Sequence, residues 1–149
     1  MSTLIRNPEA EPIRTQLIVD HERLEDALED MLEALAEGDA RALALARSSQ
    51  LAHACEAHFH AEERYLFPLL EEVDAAEIAG LFAEHQQLRR QLVDLRVAVE
   101  QSLVRMEVAQ ALVEALRIHT RREELLLSQW SSWLIAVSGR RRVLDWLAS

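Results

Sequence analysis

The sequence predicts an all-α protein built as a bundle of four long helices, and three observations carry that expectation. Among 149 residues there are 3 Gly, 3 Pro, 3 Phe and 1 Tyr, while the good helix formers Ala, Leu, Glu and Arg abound. Apolar residues recur at alternating intervals of three and four, the period of one helix face. Four such periodic segments are separated by few breakers. With 50% hydrophobic residues the chain suffices for one domain with a sizeable core, and a second domain is not expected.

Residues 1–12 are expected to be irregular, because Pro8 and Pro12 oppose an early helix. The first helix should run from about residue 13 to residue 37, with the stripe Leu17, Leu24, Leu28, Met31 and Leu35. The position missing from that stripe is filled by His21, so its imidazole should point inward. Gly38 should end this helix and Asp39 cap the second, expected from about residue 40 into the Phe67-Pro68 region. Its inward series is Ala44, Ser48, Leu51, Cys55, His58, Glu62, Tyr65 and Leu69, and Pro68, lacking a backbone donor, should kink or end it.

Asp74 can cap the third helix, whose core series Leu81, His85, Leu88, Leu92, Leu95 and Val99 again sets one histidine among leucines. The fourth should extend from about residue 106 to residue 137. Leu112, Leu116, His119, Glu123, Leu126, Trp130, Trp133 and Val137 should face inward. Ser138-Gly139 stops it, so the bundle occupies about residues 13–137, and 138–149 form a terminal segment with a short helix at Arg140 to Leu147.

A formal net charge of -10 argues against nucleic acid as a partner, because duplex binding needs basic surfaces that neutralise phosphate. The run Arg140-Arg141-Arg142 is too short to change that. No stretch approaches the roughly 20 apolar residues of a membrane span, and the first residues lack the apolar core of a signal peptide. A cytosolic protein without a membrane partner is expected. Cys55, the single cysteine, excludes an internal disulfide framework and fits a reducing compartment.

Chemistry enters through a repeat. Asp20-His21-Glu22-Arg23-Leu24 is followed by His58 and Glu62, and Glu84-His85-Gln86-Gln87-Leu88 by His119 and Glu123. Each half reads acid-His-x-x-Leu, then His-x-x-x-Glu-Glu-x-x-Leu. A lone inward histidine is usually a hydrogen-bonded core residue. Six histidines and glutamates on apolar stripes, in two copies of one pattern, point instead to a two-metal centre, since buried polar groups without partners cost several kcal/mol. Imidazole with carboxylate suits iron, zinc or manganese, and no thiolate cluster suggests iron-sulfur or cysteine-rich zinc. Glu62 and Glu123 could each bridge two cations, each of which then takes two histidines.

These residues resemble those of the hemerythrins, and more closely the hemerythrin-like, or HHE cation-binding, proteins. His58-Phe59-x-x-Glu62-Glu63-x-x-Leu66-Phe67-Pro68 is similar to the family's second-helix signature, and His21, His85 and His119-x-x-x-Glu123 fall where the other helices supply ligands. The resemblance covers about residues 15 to 135. It implies an up-down-up-down antiparallel four-helix bundle holding an oxo- or hydroxo-bridged pair of Fe ions on His21, His58, Glu62, His85, His119 and Glu123. Oxygen carriers of the family follow H, HxxxE, HxxxH, HxxxxD. Here Arg89 stands four residues after His85 and the last motif is HxxxE, which resembles a symmetric H, HxxxE, H, HxxxE subgroup. That ligand count leaves each iron one open position, which suits sensing, storage or peroxide detoxification better than reversible oxygen carriage. The small ligand would be O2, peroxide or NO, with catalase-like disproportionation as a candidate activity.

Other residues have two readings each. Tyr65 is an added ligand or redox neighbour, or an aromatic packing the bundle. Glu63 and Glu124 could hydrogen-bond a ligand imidazole, although one residue of helix turns them about 100° from the proposed ligands. His53 and His60 fall off the inward stripe and should be solvated, and Cys55 should be a small core residue. Trp130 and Trp133 fit the core at the bundle end. Trp146 fits an apolar end or an oligomer contact, so a homodimer is an allowed assembly. Ferritin-like Glu-x-x-His pairs and His-Asp dipeptides are absent from the sequence. The rival reading is a metal-free or zinc-bound bundle acting as a protein-interaction domain.

Overall fold

The structure, a computed structural model, describes residues 10–37, 41–72 and 74–130. Helix α1 spans Ala10–Ala36, α2 Arg41–Ala61, α3 Phe67–Glu71, α4 Ala75–Glu100 and α5 Met106–Trp130, with a π-helical turn at Glu62–Leu66 joining α2 to α3. The α2-π-α3 run is one interrupted rod, so the architecture is an all-α four-helix bundle. Around its perimeter α1 packs on α2, α2 on α4, α4 on α5 and α5 on α1. None of these helices is long and apolar enough to cross a membrane.

Helix α1 begins three residues before the expected start, at Ala10. Pro12 is compatible with that because the first turn of a helix has no acceptor for its N–H groups anyway. Leu17, Leu24, Leu28 and Met31 are buried as the stripe requires, with Ala34 completing it and Leu35 half-buried beside it. Helix α4 opens where expected: the Asp74 side chain accepts from Glu77 N–H at 3.1 Å. At its other end Ser102 takes φ 56°, and Leu103 N–H reaches back to the Ala98 carbonyl at 2.9 Å, a left-handed closing turn made without glycine.

The second rod departs from the expected register. An α-helical period places Tyr65 after Glu62 on the inward face, but the buried residues there are Leu66, Phe67 and Leu70, and Tyr65 is half-buried at the edge. The π turn explains the shift: Phe67 N–H donates to the Glu62 carbonyl five residues back, adding one residue to the turn. Pro68, at the start of α3, supplies no N–H to the preceding turn, a standard reason for such a disturbance. A smaller shift occurs in α5, where Leu127 rather than Leu126 is buried. Side chains at Leu69 and Trp130, and residues Gly38, Asp39, Trp133, Val137, Ser138-Gly139, the Arg140 to Leu147 segment and Trp146, lie outside the described residues.

The apolar interior is divided. One cluster gathers Leu24, Leu28, Met31, Leu51, Cys55, Leu88, Leu92, Leu112 and Leu116, and the other Leu17, Leu66, Phe67, Leu70, Ile78, Leu81 and Leu127. On every rod the polar positions fall between members of the two clusters: His21 between Leu17 and Leu24, His58 and Glu62 between Cys55 and Leu66, His85 between Leu81 and Leu88, and His119 and Glu123 between Leu116 and Leu127. A charged layer is thus sealed above and below by hydrocarbon, where electrostatic interactions are strong.

Candidate metal centre

All six sequence-predicted residues meet in that layer, and all six are buried, Glu62 and His85 completely. His58 Nε2 lies 2.8 Å from Glu62 Oε1 and 3.1 Å from His21 Nε2. His119 Nε2 is 2.9 Å from Glu123 Oε1, and His85 Nε2 stands 3.8 Å from Glu123 Oε2 and 3.7 Å from Glu62 Oε1. Two sets of convergent atoms result. His21, His58, Glu62 and Glu123 form one, and His85, His119 and Glu123 the other, with their ligand atoms within 4.8 Å of one another. Glu123 therefore belongs to both sets, whereas Glu62, expected from the sequence to reach both, belongs to the first alone.

Proximity without alignment is the telling feature. Both oxygens of Glu62, both of Glu123, and Nε2 of His85 and His119 are buried without a partner in hydrogen-bond geometry. Native interiors seldom leave such atoms unsatisfied, and here the orphaned atoms are lone-pair donors aimed at common space. The residues present fit a cation.

The outer nitrogens are bound differently. His85 Nδ1 lies 2.8 Å from Glu63 Oε2, His119 Nδ1 2.8 Å from Glu84 Oε1, and His21 Nδ1 3.0 Å from Glu124 Oε1. A carboxylate can only accept, so each Nδ1 donates its proton. For His85 and His119, a neutral ring with its proton on Nδ1 would present the Nε2 lone pair inward, as holding a cation requires. Glu63 and Glu124 take the imidazole-bonding role, because the bond goes to a histidine on a neighbouring helix, toward which the 100° offset turns them. Glu84 was not singled out by the sequence, although it is the acid of the acid-His pair. It precedes His85 yet serves His119. The remaining rings are aromatic: His85 stacks between Phe59 at 4.3 Å and Phe67 at 5.1 Å.

Electrostatics in the metal-free layer are lopsided. Burial alone would lower His21, but the nearby Glu123 carboxylate and the bond to Glu124 outweigh that and raise it to about 9. Burial and repulsion from His21, with lesser repulsion from His85 and His119, lower His58 to about 3, so His21 is the donor and His58 the acceptor of their shared contact. Burial also lowers His85. Burial and the Glu123 charge push Glu62 well above the usual carboxylate range, whereas contacts with Glu62, His119 and His21 overcome burial and hold Glu123 well below it. Cys55 is fully buried, and desolvation pushes its thiol up to about 12, which makes it an inert core residue. His53 and His60 are exposed, and Tyr65 packs against the second cluster beside the Arg64 guanidinium.

Comparison with known proteins gives one family match. The family model described as Hemerythrin HHE cation binding domain matches residues 13–131. No curated protein and no solved structure matches the chain.

Proposed function

The chain belongs to the hemerythrin HHE cation-binding family, and from that premise we infer that its polar layer holds two metal ions, iron first among the candidates, and serves small oxygen or nitrogen species. One ion would take His21, His58 and Glu62, the other His85 and His119, with Glu123 reaching both. The observation that carries this reading is the set of buried, unpartnered oxygens on Glu62 and Glu123 facing unpartnered imidazole nitrogens.

Bound iron would supply reversible redox chemistry toward O2, peroxide or NO. The chain supplies the rest. Its imidazoles are oriented through Nδ1 by Glu63, Glu84 and Glu124. Its two leucine-rich clusters exclude bulk water, and its two buried glutamates offset part of the cationic charge. Ions must displace the proton shared between His21 and His58, so uptake should release protons. With two similar ligand sets, sensing, storage or peroxide removal fits better than simple oxygen carriage.

Metal analysis and an ultraviolet-visible spectrum of protein from iron-replete cells, before and after peroxide, test the reading. About two irons per chain with charge-transfer bands support it. Protein without iron and with a featureless spectrum would favour the metal-free or zinc-bound interaction domain.

A further inference from the structure

The two halves of the repeat match at every proposed ligand but not behind them. Arg89 stands four residues after His85; the counterpart four after His21 is Glu25. Arg122 directly precedes Glu123; the counterpart before Glu62 is Ala61. Both arginines lie behind the same half of the centre.

Arg122, on α5, donates through Nη1 to Glu84 Oε2 and through Nη2 to Glu77 at 2.9 Å, both on α4. The other oxygen of Glu84 receives the Nδ1 proton of His119. Arg89, on α4, donates through Nε to Glu56 at 2.8 Å and through Nη2 to Glu63 at 3.0 Å. Glu63 in turn receives the Nδ1 proton of His85. Each guanidinium therefore pins, between two carboxylates, the one that fixes a ligand imidazole. A free glutamate at the bundle surface could swing into water; one held by an arginine fork cannot do so without breaking charged hydrogen bonds.

Gly80 is an independent sign that the geometry is built. Glycine inside a helix costs about 1 kcal/mol relative to alanine. At Gly80 a Cβ would stand 3.0 Å from Arg122 Nη2, tighter than ordinary contact. The missing side chain lets the guanidinium lie against α4, and the counterpart position in the first half is Gln16.

We propose that Arg89 and Arg122 are positioning residues for one metal position only, that of His85 and His119, and make the two positions of a near-symmetric ligand set inequivalent. This rests on the two-metal reading above. The test compares Arg89→Gln, Arg122→Gln and, as control, Arg117→Gln, whose guanidinium joins Glu25 and Glu29 across α1 and α5 without touching a ligand's carboxylate. Anaerobic calorimetric titration with ferrous iron reads each ion's affinity. Proton exchange at histidine Nδ1–H, followed by NMR in the metal-free protein, reads imidazole orientation.

One of the two affinities should stay as in the unaltered protein in both site variants, and the other should weaken about 10- to 100-fold. Nδ1–H exchange should accelerate at His119 in Arg122→Gln and at His85 in Arg89→Gln, each sparing the other, while Arg117→Gln changes neither readout. Equal weakening of both ions, an identical effect in the control, or two unaltered affinities would overturn the proposal. If the unaltered protein took no ferrous iron, the two-metal reading would fall, and the exchange rates would still decide the orienting role.

Discussion

Glu62 and Glu123 contribute all four unpartnered carboxylate oxygens of the polar layer, and His58 contacts Glu62 directly. Glu62→Ala and His58→Ala should each lose most bound iron, while His60→Ala, an exposed position, should keep it; metal analysis showing equal iron in all three would sink the ligand assignment. Protonation gives a second prediction. His21 is raised from its ordinary 6.5 to about 9, so its stabilisation is complete below pH 6.5 and lost as pH rises through 9. It is worth on the order of 3 kcal/mol, and raised Glu62 loses in the same direction. His58 is lowered to about 3, so stability falls as pH drops from 6.5, with His85 acting alike. Urea midpoints of the metal-free protein should peak near pH 6.5; a flat profile through about pH 9 would contradict the His21 contact. Six residues of the layer were legible because each interrupts an apolar stripe. Glu84 was not, because its partner lies on another helix and nothing in linear order says which imidazole a half-exposed acid will meet.

Helix existence followed from period, and α4 could be placed by its Asp74 cap, but two irregular turns escaped a strictly α-helical reading. The π turn after α2 adds a residue that periodicity cannot register, and it moves Tyr65 from the expected inward series to the half-buried edge. Tyr65→Phe should accordingly leave iron content and spectrum unchanged and cost less than about 1.5 kcal/mol in urea unfolding; loss of iron would restore Tyr65 as a ligand. The closing turn of α4 was hidden for the opposite reason, the absence of the glycine that usually marks it. Ser102 holds φ 56°, a conformation that costs a non-glycine residue roughly 1 kcal/mol. Ser102→Gly relieves that strain but gives the unfolded chain more freedom, so a net gain of about 0.5 kcal/mol is expected, with iron binding unaltered.

At the scale of the whole bundle, the polar layer sits where two apolar clusters would otherwise merge into one. Without metal, the layer keeps two carboxylates and four imidazoles out of water with an incomplete set of hydrogen bonds, which weakens the fold at its centre. The outer ion pairs of Arg89, Arg117 and Arg122 brace neighbouring helices against that weakness, although exposed pairs of this kind typically contribute below about 1 kcal/mol each. A cation binding the folded layer more tightly than the unfolded chain must therefore stabilise the protein by mass action. At free metal one hundred times the dissociation constant, one site adds about 2.7 kcal/mol, which for a chain of this size raises Tm by roughly 5 to 10 °C. Chelation of the loaded protein should lower Tm by at least that much and move the urea midpoint with little change in slope, since the surface exposed on unfolding is nearly the same. Glu62→Gln separates the alternatives, because it keeps the shape but cannot ionise to meet a cation: with Glu62 already pushed toward its neutral form, the metal-free variant should match the metal-free parent in stability, yet gain less from added iron. If chelator leaves the parent's Tm unmoved, or if Glu62→Gln gains as much from iron as the parent, the layer is an ordinary polar core and not a metal-binding centre.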